Sequence, residues 1–268
     1  MKNLVRAAVL ALLTAPLVLS SCKKAGDDYA LDGAVPASDF TYTLNTVGLT
    51  TTATFKATNT DGFLYQWNFG DGTTASGPTT THVYSSSGTV KAQLITIYRG
   101  GNSFSQQKDV TLPSISALVK ALLTGTTSKT WKLDNSVAAP IIVGPDDANP
   151  GSYYAGGAAG SLPACQADDE YTFSATNAFT YDAKGQTFVA GGACDAPRNT
   201  ATTFSFGNAT GAGLAQVTLA NATPKPFIGV TDAPDFIYRI IAIDEKNMTL
   251  RAGSPTGGLV FTFKMIAK

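Results

Sequence analysis

Histidine is nearly missing from this chain: among 268 residues there is one, His82. A zinc centre takes about four Cys, His or carboxylate ligands, so one built on several imidazoles is excluded. Ser–His–Asp chemistry would have to run through that single ring. Charge is also sparse, at 14% of residues, with 19 basic against 19 acidic groups. No basic field exists to hold phosphates, which excludes nucleic acid as a partner. Gly156-Gly157 and Gly191-Gly192 are not followed by Lys-Ser or Lys-Thr, so neither is a phosphate loop. Glycoside hydrolysis asks for two carboxylates facing each other across a cleft, and no strand reads as carrying such a pair between aromatics. These gaps lead us to expect a non-enzymatic protein with no cofactor. Beyond the amino-terminal segment no apolar run is long enough to cross a membrane. Ile237 to Ile243 comes nearest, and Arg239 interrupts it.

The amino-terminal segment is different. Lys2 and Arg6 precede an apolar run from Ala7 to Leu19, and small residues follow. A positive start, a short apolar run and small residues before a cut site make a secretory signal. Leu19-Ser20-Ser21-Cys22 closes it, and this run resembles the lipobox of bacterial lipoproteins. The resemblance implies that residues 1–21 are removed and that Cys22 carries the lipid. Several acyl chains, at about 0.8 kcal/mol per buried CH₂, give durable anchoring. Removing Lys2 and Arg6 leaves 17 basic and 19 acidic groups, a net charge near −2. With Cys22 consumed by lipid, Cys165 and Cys194 are left. An even pair in an exported protein is expected to form a disulfide, closing a loop that stabilises by ~3 kcal/mol. Two free thiols or a metal site are the alternatives, and His82 lies far from both cysteines in sequence.

Residues 22–36 are polar and read as a tether. Residues 37–113 alternate in strand fashion through Phe40 to Leu44, Thr52 to Phe55, Phe63 to Phe69, Val90 to Ile97 and Val110 to Leu112. In the third of these, Phe63, Tyr65, Trp67 and Phe69 fall on one face, which is expected to be core. Short strands with turn residues between them make a sandwich. Residues 114–125 change period. Ile115, Leu118, Val119, Leu122 and Leu123 recur at helical spacing, Ser114 can cap the start and Gly125 can end it. Residues 126–268 return to short strands without long helices. Hairpin turns are read at Ala183-Lys184-Gly185 and at Asp244 to Asn247. Sequential hairpins predict an antiparallel meander closed as a barrel or folded as a second sandwich. Asn135 to Asp168 is Gly-, Pro- and Ala-rich without periodicity, and a loop of that length is expected to be functional.

Tyr65-Gln66-Trp67-Asn68-Phe69-Gly70-Asp71-Gly72, followed by His82-Val83-Tyr84 and Gly88-Thr89-Val90, resembles a PKD domain. The resemblance implies an immunoglobulin-like β-sandwich. It also implies a structural place for His82, two residues before Tyr84 and on the same side. Trp67 is the expected core aromatic. Gly70 and Gly72 permit a turn that Asp71 can brace, and Tyr84 sits as a tyrosine corner does. The second unit, through Lys129-Thr130-Trp131-Lys132-Leu133, Val143-Gly144-Pro145-Asp146, Tyr153-Tyr154-Ala155 and Asp168 to Phe173, is similar to a module that follows PKD domains in lipoproteins of the Bacteroidetes. Those proteins look like surface glycan-binding components of polysaccharide-uptake systems.

Sugar binding needs flat aromatic faces for C–H groups and a few polar partners. Tyr153 and Tyr154 lie in the aperiodic loop beside Asp146, Asp147 and Asn149, and the two tyrosines with Asp146 and Asn149 are the candidate carbohydrate-binding residues. Adjacent tyrosines that only pin the loop to the sheet are the alternative. Trp131 begins a strand and is expected to be core. Asp168, Asp169 and Glu170 are expected to be a solvated or turn-bracing cluster, because three adjacent residues seldom supply one side of a calcium ion. The expected whole is an all-β lipoprotein of the cell outer membrane, lipid-anchored and surface-exposed. A PKD spacer would hold out a polysaccharide-binding domain, with outer-membrane uptake proteins as possible partners. The alternative is a structural or adhesive surface protein that binds another protein.

Overall fold

A computed structural model describes residues 33–268. The signal segment, the lipidation residue Cys22 and most of the tether lie outside the described residues. The first unit comprises β1 (Phe40–Val47), β2 (Thr50–Ala57), β3 (Leu64–Asn68), β4 (Thr74–Ser76), β5 (Thr79–Tyr84), β6 (Gly88–Tyr98), β7 (Gly101–Phe104) and β8 (Lys108–Leu112). All their pairings are antiparallel. One sheet runs β1-β2-β5 and the other β4-β3-β6-β7, with β8 paired to the first half of β6. Period-two burial explains both sheets. In β2, Thr51, Ala53, Phe55 and Ala57 turn inward while Thr54 and Lys56 turn out.

The sandwich closes on Trp67, which is fully buried. Phe40 meets it edge-on at 5.3 Å and Phe55 lies 5.5 Å away. Its indole N–H donates to the Gly77 carbonyl at 2.8 Å, so burial leaves no orphan donor. Tyr84 donates its hydroxyl to the Phe69 carbonyl at 3.0 Å, the tyrosine-corner bond. The turn after β3 needs its first glycine. Gly70 has φ +82°, and a Cβ there would stand 2.5 Å from the Lys91 backbone. One expectation is corrected. Phe63 is 70% exposed and is not part of the core. The strand begins only at Leu64, so the alternation that buries Tyr65 and Trp67 does not extend back to Phe63.

Helix α1 (Ile115–Thr124) starts as expected: Ser114 Oγ accepts from the Ala117 N–H at 3.1 Å. Its buried face, Val119, Leu122 and Leu123, joins the core of the second unit. That unit continues through β9 (Ser128–Leu133), β10 (Ile141–Gly144), α2 (Ala164–Ala167), β11 (Glu170–Ser174), β12 (Ala178–Asp182), β13 (Thr187–Val189), β14 (Ala193–Asp195), β15 (Thr200–Gly207), β16 (Ala215–Leu219), β17 (Ile237–Ile243), β18 (Asn247–Ala252) and β19 (Val260–Ala267). The order β9-β11-β12-β15-β16-β17-β18-β19 returns to β9, where Met265 to Ala267 face Leu133 to Trp131. An antiparallel barrel of eight strands results. β10 extends the β9 side of β19, pairing with Val260 to Phe263. Closure removes the sheet edges that an open meander would expose.

The barrel interior is filled. Trp131, Tyr171, Phe173, Phe179, Tyr238 and Phe263 are all fully buried, as small barrels require. The Trp131 indole donates to the Leu123 carbonyl at 2.9 Å and so ties α1 to β9. The segment between β16 and β17 dips into the same core with Phe227 and Ile228. Two backbone amides there use tyrosine hydroxyls as acceptors, Ile228 on Tyr238 and Gly229 on Tyr171, each at 3.0 Å. Gly229 is required at its position, since φ is +79° and a Cβ would strike the Phe263 ring at 2.5 Å. The long Asn135 to Asp168 stretch is not wholly irregular, because it contains β10 and α2. A four-residue strand is too short to show a period in sequence.

Candidate functional site

One carboxylate in the stretch between β10 and α2 is bonded into the barrel wall. Asp147 receives the guanidinium of Arg239 at 2.5 and 2.8 Å and that of Arg251 at 3.0 Å. These arginines lie opposite each other on β17 and β18, and both are buried. Arg239 also donates to the carbonyls of Ala212 and Gly253, and Arg251 to Thr262 Oγ1. Burial works against the charged carboxylate, but bonds from two guanidinium groups outweigh it and hold Asp147 at about 2. Asp147 stands in the expected platform loop, but its role as a clamp is not read from that position alone. The signal for it was Arg239 inside an apolar strand, since a buried guanidinium needs an anionic partner.

On that clamp the loop presents its aromatics. Val143 of β10 exchanges backbone hydrogen bonds with Tyr154 at 2.9 Å, and the Tyr153 amide donates to the same Val143 carbonyl. Tyr153 is 64% and Tyr154 50% exposed. Their backbone is therefore fixed while their side chains face water. Asp146 Oδ1 accepts from the Asn149 amide at 2.8 Å and from its side chain at 3.2 Å. All four predicted residues thus share one loop, with Asp146 and Asn149 bracing its turn.

Beside Tyr154 lies a cavity of about 350 Å³. Ile141, Val143, Leu162 and Phe261 form its apolar floor and walls, Gln166 of α2 borders it, and the β13–β14 hairpin covers one side with Phe188 to Gly192. The disulfide expected between Cys165 and Cys194 is formed, and it joins α2 to β14. The hairpin pairs with no other strand, so it is secured by this bond, by the Ala190 amide on Thr231 Oγ1 at 3.0 Å, and by buried Thr187, whose hydroxyl meets the Tyr181 hydroxyl at 3.1 Å and accepts from the Arg198 amide at 2.9 Å. The turn expected at Ala183 to Gly185 leads into this excursion rather than joining two barrel neighbours, because β12 pairs with β15.

The acidic cluster does not have the single character expected of it. Asp168, Asp169 and Glu170 are not a solvated group, since Asp169 is 1% exposed. Its position follows from strand alternation with Tyr171 and Phe173, which point into the barrel. Tyr181 and Tyr171 donate their hydroxyls to its two oxygens at 2.8 and 3.3 Å. Desolvation raises its pKa to about 7, against the opposing pull of these two bonds. Glu170 points outward and pairs with Lys268 at 2.6 Å and Lys184 at 3.2 Å. Among the described residues no group of three or more His, Cys, Asp or Glu is placed to hold a metal ion.

In the first unit, His82 stacks flat on Phe69 with ring centres 4.2 Å apart. Its Nε2 lies 2.7 Å from Asp71 Oδ2. Asp71 also accepts from the Thr73 amide and hydroxyl at 3.0 and 2.6 Å. Burial opposes its charge, yet these donors and His82 hold it at about 2. The ring is thus built into the turn that Gly70 and Gly72 form.

Residues 35–112 match the PKD domain family, and a PKD domain is found there. The barrel lies outside that match, and no curated protein matches the chain. A PKD domain joined to a second all-β unit fits a surface or adhesive protein.

Proposed function

We propose that this is a lipid-anchored protein of the outer cell surface whose barrel domain binds polysaccharide without cleaving it, while the PKD domain acts as a spacer. One observation carries the binding assignment: Tyr153 and Tyr154 leave most or half of their surface in water although their backbone is fastened to β10. Rings that only pinned the loop to the sheet would be buried. Exposed, positioned aromatic faces suit the C–H faces of sugars, at little ordering cost to the protein. Anchoring rests on Leu19-Ser20-Ser21-Cys22, and the resemblance to Bacteroidetes glycan-binding lipoproteins supports the same picture. Affinity for a short oligosaccharide is expected in the micromolar-to-millimolar range.

Affinity electrophoresis of the full mature chain through gels holding neutral and acidic polysaccharides tests this assignment. At least one gel should retard the wild type, and Tyr153→Ala/Tyr154→Ala should abolish the retardation without moving the melting temperature. Failure of every polysaccharide to retard the protein refutes glycan binding. Cys22→Ala should abolish incorporation of labelled palmitate in cells, and continued labelling refutes the anchor.

An adhesive role toward another protein is the second reading. The outer face of the PKD sheet favours it: Leu64 sits opposite Ile97 and Ile95 opposite Phe104, with Leu64 and Phe104 exposed. Apolar side chains grouped on one exposed sheet face suit a protein contact.

A further inference from the structure

The cavity beside Tyr154 is continuous with the proposed glycan site, because Tyr154 is both one of the two exposed rings and part of the cavity wall. Tyr153, the neighbouring ring, stands outside it. We infer that the cavity is a terminal subsite that takes one uncharged sugar ring, a chain end or a branch, while the adjoining unit lies on Tyr153. This rests on the glycan-binding reading and goes further in naming where the chain stops and which sugars are refused.

Size, wall chemistry and charge each contribute. A space of about 350 Å³ lies near the lower limit of ligand pockets, ~300 Å³, and admits one substituted ring rather than a run of units. Its apolar surfaces, Phe261, Val143, Leu162 and Phe188, suit the C–H face of a pyranose. Hydroxyl partners are available at the Tyr154 and Ser161 side chains and at the Gly191 amide, while the Gly192 amide is taken by the Val189 carbonyl at 3.1 Å. Asp232 is the charged side chain of the lining, which contains no lysine or arginine; the nearby Lys225 is turned to the Ala233 carbonyl, to which it donates at 3.0 Å. A uronate or sulfated ring would bring like charge to that carboxylate with no cation in the lining to pair with, which selects against acidic sugars. A neutral or amine-bearing ring meets no such opposition. The disulfide between Cys165 and Cys194 keeps the covering hairpin in register with α2, so the subsite is formed before ligand arrives.

The test uses the full mature chain with its disulfide intact, neutral and acidic oligosaccharide arrays, and two variants. Ala190→Trp fills the cavity from an exposed position of the hairpin, leaving the Ala190 amide bond to Thr231 in place. Asp232→Lys reverses the charge at the rim. Wild type should bind neutral oligosaccharides, and the methyl glycoside of the terminal sugar should compete. Ala190→Trp should weaken binding at least tenfold with an unchanged melting temperature, and Asp232→Lys should shift preference toward uronate-bearing oligosaccharides. Three outcomes overturn the subsite while leaving surface glycan binding intact: Ala190→Trp binding as wild type, stronger wild-type binding to acidic than to neutral oligosaccharides, or no competition by the methyl glycoside. Absence of wild-type binding to every oligosaccharide overturns both.

Discussion

Asp169 should make the barrel less stable as pH rises through the neutral range. Its carboxyl sits between Tyr171 and Tyr181 with no cation against it, and burial raises its pKa to about 7 from 3.8. An acid with a raised folded pKa holds its proton in the native state after the unfolded chain has lost it. Stability from this group is therefore complete below about pH 4, declines through the interval up to about 7, and is level above it. The limiting slope is about 1.4 kcal/mol per pH unit, so roughly 2 kcal/mol should be lost between pH 5 and 7. Asp71 and Asp147, both held at about 2, are ionised in either state across that window and contribute no slope there. Asp169→Asn keeps the volume, supplies an acceptor and a donor to the two hydroxyls, and cannot ionise. Urea denaturation of wild type and variant at half-unit steps from pH 5 to 8 measures the effect. The difference between the two curves should carry the whole ~2 kcal/mol, a melting shift of about 4–8 °C. Parallel stability curves for the two proteins would refute the assignment of Asp169 as a buried, unpaired carboxyl.

Three further outcomes are expected. Asp147→Asn should cost about 2–4 kcal/mol and release the tyrosine-bearing loop, because Arg239 and Arg251 lose their anion while remaining buried; increased proteolysis between Pro145 and Leu162 is the readout, and unchanged resistance would count against the clamp. Cys165→Ser with Cys194→Ser should destabilise the barrel by ~2–4 kcal/mol and leave PKD unfolding unchanged, as read by calorimetry. Trp67→Ala should cost ~3–5 kcal/mol in the PKD domain alone, and a loss under 1 kcal/mol would contradict its place at the centre of the sandwich.

Sequence patterning carried the fold where burial is one-sided. Tyr65 and Trp67, and Tyr171 and Phe173, sit on the faces that alternation assigns, because a single residue of slip would put the apolar set in water. It failed at Phe63, where alternation ran past the point at which the strand begins. It also failed to separate a barrel from a sandwich, since closure depends on β19 meeting β9 across more than a hundred residues. Tyr153 and Tyr154 were legible as candidates because aromatics stand out in a Gly-rich loop. The clamp role of Asp147 was not, although the residue stands in the same loop next to Asp146. Neighbouring acids look alike in sequence, and only the pairing of β17 with β18 brings Arg239 and Arg251 together to distinguish one from the other.

The filled interior bears on where the proposed glycan site can lie. Eight-stranded barrels can hold a ligand inside, but here Trp131, Tyr171, Phe173, Phe179 and Phe263 take that space, and the Phe227-Ile228 segment adds to them. Displacing one such aromatic would cost about 3–5 kcal/mol, comparable to the whole binding energy of a millimolar ligand. An interior site is thus energetically closed to a weakly held sugar. What remains is the rim, where irregular chain is long enough to present side chains and where two separate devices fix it: the Asp147 clamp under the tyrosine loop and the Cys165–Cys194 bond under the hairpin. Both devices act on segments with little ladder bonding of their own. A loop that served only as a connection would gain nothing from holding exposed aromatics in one place, whereas a recognition surface loses affinity for every rotamer and backbone freedom that ligand must quench.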